Sequence, residues 1–302
     1  MAMHESEVRT IGVIGGSGLY EMDGLSDIQE VPLTTPFGAP SDAYISGLLR
    51  DLGVRLIFLP RHGRGHRVLP HEINYRANIH GFKQLGVEHL ISVSAVGSLR
   101  EHIHPGHIVL PDQFIDRTKA RASTFFGDGA AAHVQFGDPV CPLLHDTLVA
   151  AAEAESAGRD GKSDVHARGT YVVMEGPAFS TRAESFMYRA WGADVVGMTN
   201  LPEAKLAREA ELCYASIALS TDYDCWHQDE EAVTVEAVVA VIHSNIKKAR
   251  TIVRDAASRI AGQPARSCAC QSAAKGALMT RPELVPPATR ERLALILGKY
   301  LG

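Results

Sequence analysis

The sequence has few aromatic residues, little net charge and no long apolar run. Phe, Trp and Tyr make up 6% of the 302 residues, and 30 basic against 35 acidic side chains give a formal net charge of -5. No window approaches the ~18 uninterrupted apolar residues of a membrane-spanning helix. No long basic stretch offers a surface for a phosphate backbone. We therefore expect neither a membrane nor a nucleic acid as a partner.

Signals for export and for a disulfide scaffold are also missing. The opening residues, MAMHESEVRTIG, contain no apolar segment before a small-residue cleavage site, so we expect a cytoplasmic protein. The cysteines are too few and too scattered for a small disulfide-stapled protein, and no CxxC pair indicates zinc. There are five of them: Cys141, Cys213, Cys225, Cys268 and Cys270.

What is present is an alternation of strand-like and helix-like segments. Apolar runs typical of strands cover residues 10–14, 54–60, 89–98, 107–115, 169–176, 193–198 and 213–222. Several are apolar on both faces, as are strands covered by helices on two sides. Helical spacing occupies residues 75–86, 142–158, 201–212 and 233–262. The pattern predicts an α/β fold with a mostly parallel or mixed twisted sheet flanked by helices.

The C-terminal part differs in composition from the rest. Residues 1–262 are predicted to form one domain, whose longest helix ends at Gly262-Gln263-Pro264. Residues 263–276 are small and polar, which is typical of a linker. A short helix is predicted for residues 287–301. We expect residues 263–302 to pack on the same domain.

Two loops that follow predicted strands are suited to binding an anion. Gly15-Gly16-Ser17-Gly18 allows close approach of backbone N–H groups, although it matches neither GxGxxG nor GxxxxGK[ST], and a plain tight turn explains it equally well. Residues 60–66 bring Arg61 and His62 to another strand end, where open α/β sheets bind ligands. An Arg fork matches phosphate oxygens. A solvated basic loop is the alternative.

Small and hydroxyl-bearing residues end two further strands. Ser94 and Ala95 lie in SAVGS, and Met198-Thr199 follows ADVVGM. These residues leave room for a ligand and offer hydroxyls and N–H groups to it. Together with Arg61 and His62, they predict a phosphate site assembled from several strands.

Other candidates have an ordinary structural explanation beside the functional one. Phe179 and Ser180 could stack and contact a flat base, although a phenylalanine is more often part of a core. Asp222 and Asp224 follow a buried strand, where a sheltered carboxyl group could handle a proton, and helix capping is an equal alternative. The histidines of the segment EHIHPGH fit no recognised metal spacing.

Several long motifs occur together and resemble the trimeric purine nucleoside phosphorylase superfamily, on its methylthioadenosine branch. They run from about Thr10 to Arg250 and include IGVIGGSGL, LPRHGRGH, SAVGSLRE, GHIVLPDQFIDRT, EGPAFSTRAESFMYRAWGADVVGMT and CYASIALSTDYDCW. The resemblance implies phosphorolysis of 5'-methylthioadenosine to adenine and 5-methylthioribose 1-phosphate. A broad purine nucleoside phosphorylase or a methylthioinosine phosphorylase is the alternative within the class.

The resemblance also implies roles for single residues. The phosphate shell comprises Ser17, Arg61, His62, Ser94, Thr199 and the backbone N–H of Ala95. Met198 contacts the ribose through its backbone, and Phe179 and Ser180 line the purine. Asp222 pairs with N7 and the 6-amino group, supported by Asp224. The methylthio pocket comprises Val235, Val238, Val239 and, from a neighbouring subunit, His133.

This family assignment implies a homotrimer, or a dimer of trimers, with no metal and no organic cofactor. Cys268-Ala269-Cys270 resembles the CxC element of heat-stable archaeal relatives, where it joins a disulfide network, and Cys141 with Cys213 could form a second pair; reduced thiols are the alternative. Two other classes of function stay open at this point. One is a catalytically silent binding protein on the same scaffold. The other is a dinucleotide-dependent oxidoreductase, which rests only on the glycine-rich first loop.

Overall fold

Eleven strands form one mixed sheet in the computed structural model, which describes residues 8–157, 164–227, 235–264 and 266–302. The strands are β1 (Arg9–Gly15), β2 (Leu25–Val31), β3 (Tyr44–Leu49), β4 (Val54–Pro60), β5 (His89–Ser98), β6 (Ile108–Val109), β7 (Gln113–Arg117), β8 (Val165–His166), β9 (Thr170–Met174), β10 (Val195–Gly197) and β11 (Cys213–Tyr223). Their order is β2-β3-β4-β1-β5-β10-β9-β7, and β11 pairs with β5 and carries β6 and then β8.

The helices lie on both faces of this sheet. They are α1 (Tyr75–Gln84), α2 (Pro142–Ala157), α3 (Arg182–Ala190), α4 (Asn200–Glu209), α5 (Val235–Gly262), α6 (Pro287–Arg292) and α7 (Ala294–Leu301). Phe82 of α1, Leu206 of α4 and Leu297 of α7 share one buried core. Leu148 of α2 and Ile252 of α5 share the other. The predicted α/β class is confirmed.

Parallel pairing dominates the middle of the sheet. β1 is parallel to both β4 and β5, and β5 is parallel to β11. β10 runs antiparallel to the end of β5 and parallel to β9. β5 is therefore the strand at which three neighbours meet, and its C-terminal half lies between β11 and β10.

Some strands and helices differ from the prediction in segments where apolar and polar residues are mixed. The run 107–115 divides into β6 and β7, since Pro111 between them has no N–H for a ladder. β2 was not predicted, because this edge strand exposes most of its side chains. α3 was also missed, although Thr181 and Glu184 form a capping box at its start.

The segment predicted as a linker is folded against the sheet. Residues Ala269–Ser272 form a 3-10 helix, and Cys268, Cys270 and Ala274 are buried. Small side chains need no large cavity to be buried, so their composition resembled that of a solvated linker. Separately, none of the helices in the described residues is both long and apolar enough to cross a bilayer.

Candidate active site

The strand ends predicted to bind an anion meet at one edge of the sheet. Gly15 lies opposite Pro60 at the ends of β1 and β4, and the Arg61 backbone N–H donates to the Gly15 carbonyl at 2.9 Å. Because β5 neighbours β1, Ser94 follows at the same edge. The Ser94 hydroxyl is 3.4 Å from Oδ1 of Asn200, which begins α4. The parallel pairing thus gathers three strand ends that are far apart in sequence, and the start of α4 lies beside them.

Two parts of the predicted site are described only by their backbone. Ser17 opens a 3-10 helix that runs to Tyr20, and Val235, Val238 and Val239 lie in the first turns of α5. The side chains of these four residues lie outside the described part of the structure. Their predicted roles stay predictions.

Arg61 is buried in an ion pair rather than extended into solvent. Its Nε donates to Glu203 Oε2 at 2.8 Å, and both side chains are almost fully buried. Nη2 donates to the Ser92 hydroxyl at 2.7 Å, and Nη1 donates to the Val93 carbonyl at 3.1 Å. Nη2 also lies 3.1 Å from the Ile14 carbonyl. These bonds leave one Nη1 hydrogen for an anion, so direct phosphate binding by Arg61 stays a prediction.

His62 is held as a neutral imidazole with a defined tautomer. Its Nδ1 is 2.8 Å from the Val68 carbonyl, which can only accept, so Nδ1 carries the hydrogen. Burial, together with the nearby charge of Arg61, lowers the pKa of His62 from 6.5 to about 4, although the hydrogen bond to Val68 opposes this shift. The His66 ring stacks on it at 4.3 Å. At neutral pH the other nitrogen, Nε2, is therefore a hydrogen-bond acceptor.

Hydroxyl groups with unused capacity lie beside these two residues. Thr199 precedes α4, and its buried Oγ1 has no partner among the described residues other than the neighbouring Tyr171 hydroxyl. The Tyr171 hydroxyl is also buried, which raises its pKa, and it lies within hydrogen-bonding reach of the side chains of Ser94 and Thr199. Ala95 is exposed on β5. A polar ligand at this edge would satisfy the buried groups.

The two predicted carboxylates converge over a glycine of β5. Gly97 lies opposite Asp222 in the β5–β11 pairing, where the register shifts by one residue after Ser220. A Cβ atom on Gly97 would lie 3.3 Å from Asp222 Oδ1 and 3.4 Å from the Asp224 Cβ. Oδ2 of Asp224 is buried and has no partner among the described residues. The missing side chain of Gly97 thus allows both carboxylates to approach the end of β5.

Thr221 can form a hydrogen bond with its neighbour Asp222 whether that carboxyl group is ionised or protonated. Its Oγ1 is 2.7 Å from Asp222 Oδ2 and 3.3 Å from the Val96 carbonyl. The hydroxyl has one hydrogen. If Asp222 is ionised, that hydrogen goes to the carboxylate. If Asp222 is protonated on Oδ2, the carboxyl donates to Oγ1 and the hydroxyl donates to Val96.

Phe179, one of the two residues predicted to contact the purine, lies at the surface and not in a core. Phe179 is 83% exposed, so the core explanation for this residue is wrong. Ser180 lies beside it, with Oγ 3.4 Å from the Met174 sulfur. The Cys225 thiol donates to the Ser180 carbonyl at 3.3 Å, which connects this loop to the segment after Asp224.

Sequence analysis missed Arg121, which holds two strand ends in place. Its side chain is 1% exposed. Nη1 donates to the carbonyls of Met198 and Leu201 at 2.6 and 2.8 Å, and Nη2 donates to those of Met174 and Glu175 at 3.2 and 2.6 Å. The Met198 carbonyl therefore already accepts one hydrogen bond from the protein. A lone Arg in the segment TKARAS gives no sequence signal of this role.

His133 lies away from the residues above. It is exposed and lines a cavity of about 590 Å³ that also includes Lys205 and Glu209 of α4. Thr199 precedes the start of that helix, which is interrupted by a kink at Leu201. None of Ser94, Thr199 and Asp222 lines this cavity. Within one chain, the structure does not bring His133 together with the other predicted site residues.

The histidines of residues 102–107 pack on aromatic neighbours. His104 Nδ1 is 2.5 Å from the Tyr223 hydroxyl, and His107 Nδ1 is 2.9 Å from His166 Nε2. The rings of His102 and His166 meet edge to face at 5.5 Å. These contacts account for the histidines as packing groups near the end of β11.

The fold and the site together define the class of this protein. Residues 10–258 match the family model described as the phosphorylase superfamily, and the chain belongs to that family. It is 59% identical, over 97% of its length and 99% of the relative's, to the S-methyl-5'-thioadenosine phosphorylase of Geobacter sulfurreducens. Over 97% of both chains, it is also 59% identical to the enzyme of that name from Koribacter versatilis.

Solved structures give the same result. A methylthioadenosine phosphorylase from an Antarctic soil metagenomic library superposes with a TM-score of 0.90 at 48% identity, covering 96% of this chain and all of that one. The methylthioadenosine phosphorylase of Schistosoma mansoni in complex with adenine superposes with a TM-score of 0.80 at 36% identity, covering 89% and 99%.

Proposed function

We propose that this protein catalyses the phosphorolysis of 5'-methylthioadenosine to adenine and 5-methylthioribose 1-phosphate. The observation that carries the proposal is the convergence of Asp222 and Asp224 over Gly97, at the sheet edge where Ser94 and Thr199 also lie. The similarity to enzymes named for this activity, over nearly the whole chain, supports the choice of substrate.

One end of the site, which we name the phosphate end, comprises Arg61, His62, Ser94 and Thr199. The neutral Nε2 of His62 accepts a hydrogen bond from the hydroxyl of hydrogen phosphate. The hydroxyls of Ser94 and Thr199 and the N–H of Ala95 donate to its other oxygens, and the buried Thr199 hydroxyl gains a partner. Arg61 contributes its remaining Nη1 hydrogen and organises the β1 and β5 ends around it.

The other end, which we name the purine end, comprises Phe179, Ser180, Asp222 and Asp224. When the C1'–N9 bond breaks, its electron pair leaves with the purine, and positive charge builds on the ribose. A phosphate oxygen forms the new bond to C1'. Asp222, protonated on Oδ1, donates to N7 of the departing adenine, and its Oδ2 accepts from the 6-amino group and from the Thr221 hydroxyl.

The proposal includes a homotrimer in which each site is completed by a neighbour. His133 lines a cavity that includes none of Ser94, Thr199 and Asp222, which supports a role for His133 in the site of a neighbouring chain. Val235, Val238 and Val239 then supply the apolar side of the methylthio pocket. The proposal places the enzyme in the cytoplasm, where free thiols like its five cysteines persist.

A panel of nucleosides tests the function directly. The purified protein is incubated with methylthioadenosine, methylthioinosine, adenosine and inosine, each with and without phosphate, and released base is measured. We expect base release that requires phosphate and is fastest with methylthioadenosine. Release without phosphate would indicate hydrolysis, and faster turnover of inosine would indicate a broad purine nucleoside phosphorylase. Either result contradicts the proposal.

A further inference from the structure

Four of the five cysteines meet in one buried cluster that the reaction does not use. Cys141, Cys213, Cys268 and Cys270 are each less than a tenth exposed. All four Sγ atoms lie within 4.8 Å of one another, and those of Cys213 and Cys268 are 3.1 Å apart. The fifth, Cys225, is exposed and lies elsewhere.

The cluster joins three separate parts of the chain. Cys141 immediately precedes α2, Cys213 is the first residue of β11, and Cys268 and Cys270 belong to the C-terminal segment. Sequence analysis found no zinc spacing because the ligands come from three segments instead of two CxxC pairs. The family resemblance suggested two separate disulfides, whereas the structure places each thiol beside the other three.

The separations suit one tetrahedral metal ion. With Zn–S bonds of about 2.3 Å, the sulfurs of a tetrahedral site lie about 3.8 Å apart. All pairs here lie within 4.8 Å, so an ion at the centre reaches every sulfur with small side-chain rotations. We propose that Cys141, Cys213, Cys268 and Cys270 form a structural site for a thiophilic divalent cation, with Zn²⁺ as the best match.

The surroundings of the cluster suit its charge when it is filled. Four thiolates around a divalent cation carry a net charge of -2, and binding releases the four thiol protons to solvent. The Arg266 guanidinium lies 3.9 Å from the Cys213 sulfur and is itself mostly buried. The N-terminus of α2 faces Cys141, whose sulfur accepts from the backbone N–H of Leu144. Such contacts are typical of the groups around metal ligands.

A cleft gives a metal ion a route to the cluster. It has a volume of about 430 Å³, and its lining includes His89, Cys213, Arg266 and Cys268. Four protein ligands would close the coordination sphere, as in structural zinc sites, and leave no position for a substrate. The proposed role is therefore to hold the C-terminal segment, and it is independent of the proposed reaction.

Holding this segment also affects the region around His133. Ala132 forms a β-bridge with Leu278, and the His133 N–H donates to the Ala277 carbonyl at 2.9 Å. The C-terminal segment continues from Cys270 into these residues and then into α6 and α7. A metal at the cluster thus fixes the start of the segment that supports the His133 loop.

Metal analysis of the whole reduced protein tests the proposal. The protein is purified under reducing conditions, incubated with zinc and freed of excess ion, and zinc is measured by mass spectrometry. We expect about one zinc per chain and a fall in Tm when a chelator removes it. Cys268→Ser should lose the zinc, whereas the matched control Cys225→Ser should keep it.

Cobalt gives a second measurement if Cys268→Ser fails to fold. Co²⁺ added to the wild-type protein should produce the thiolate-to-cobalt charge-transfer band and the strong visible bands of a tetrahedral site. The proposal is overturned if the reduced wild-type protein takes up neither ion. It is also overturned if the protein purified without reductant is lighter by four hydrogens, because two disulfides would then occupy the four cysteines.

Discussion

The two ends of the candidate site differ in how far their polar groups are already satisfied by the protein. At the phosphate end, Arg61 is paired with Glu203 and His62 is fixed by Val68. At the purine end, Oδ2 of Asp224 has no partner among the described residues, and Phe179 is 83% exposed. The comparison indicates that the protein already holds Arg61 and His62 at the phosphate end, where only hydroxyls await a ligand, whereas at the purine end a buried carboxylate oxygen awaits one.

The largest effect is expected from a substitution that removes the Arg61–Glu203 ion pair at the phosphate end. Arg61→Met leaves Glu203 buried without its cation, and removing one partner of a buried ion pair costs about 3–5 kcal/mol. Urea unfolding should show this loss. The double variant Arg61→Met, Glu203→Gln should recover much of it. A stable Arg61→Met protein with a greatly raised KM for phosphate would instead make Arg61 chiefly a phosphate ligand.

The next effect concerns recognition of the purine. A carboxyl group that donates to N7 and accepts from a 6-amino group matches adenine and mismatches a 6-oxopurine. Asp222→Asn should lower kcat/KM for methylthioadenosine by at least about two orders of magnitude, roughly 2.7 kcal/mol, and affect methylthioinosine far less. Steady-state kinetics with both substrates measures this. Equal losses would make Asp222 structural and not the reader of the 6-position.

A further effect concerns the pH dependence of stability. Because the pKa of His62 is lowered from 6.5 to about 4, the unfolded chain binds a proton there that the folded chain does not. The free energy of unfolding therefore falls as the pH drops from about 6.5 to 4. His62→Asn keeps an N–H for the Val68 carbonyl but does not titrate. The free energy of unfolding of this variant should therefore fall less over the same pH range. Denaturant unfolding of both proteins is measured at both ends of this pH range. If the free energy of unfolding changed equally with pH in the two proteins, the lowered pKa of His62 would be contradicted.

The sequence predicted best those elements whose pattern is local. Strands β4 and β5 were predicted at residues 54–60 and 89–98, as observed, because both are continuous apolar runs. β2 was missed because its exposed polar residues hide the strand pattern. The meeting of strand ends was predictable in outline, since parallel strands end at one edge.

Partners distant in sequence were not predictable. Glu203 lies 142 positions from Arg61, and nothing in either segment indicates that the two side chains pair. The role of Arg121 was not predictable either, because its partners are backbone carbonyls, which carry no sequence signature. The four cysteines come together only when β11, α2 and the C-terminal segment are packed.

The most direct test of the account is to impair each end separately and measure both substrates. Thr199→Val removes a hydroxyl from the phosphate end, and Asp224→Asn removes a charge from the purine end with little change in shape. A hydrogen bond to a charged group contributes about 1.5–3 kcal/mol. We therefore expect Thr199→Val to raise the KM for phosphate about tenfold or more and leave that for methylthioadenosine nearly unchanged. Asp224→Asn should raise the KM for methylthioadenosine about tenfold or more and leave that for phosphate nearly unchanged. If both variants raised both KM values equally, the division of the site into two ends would be wrong.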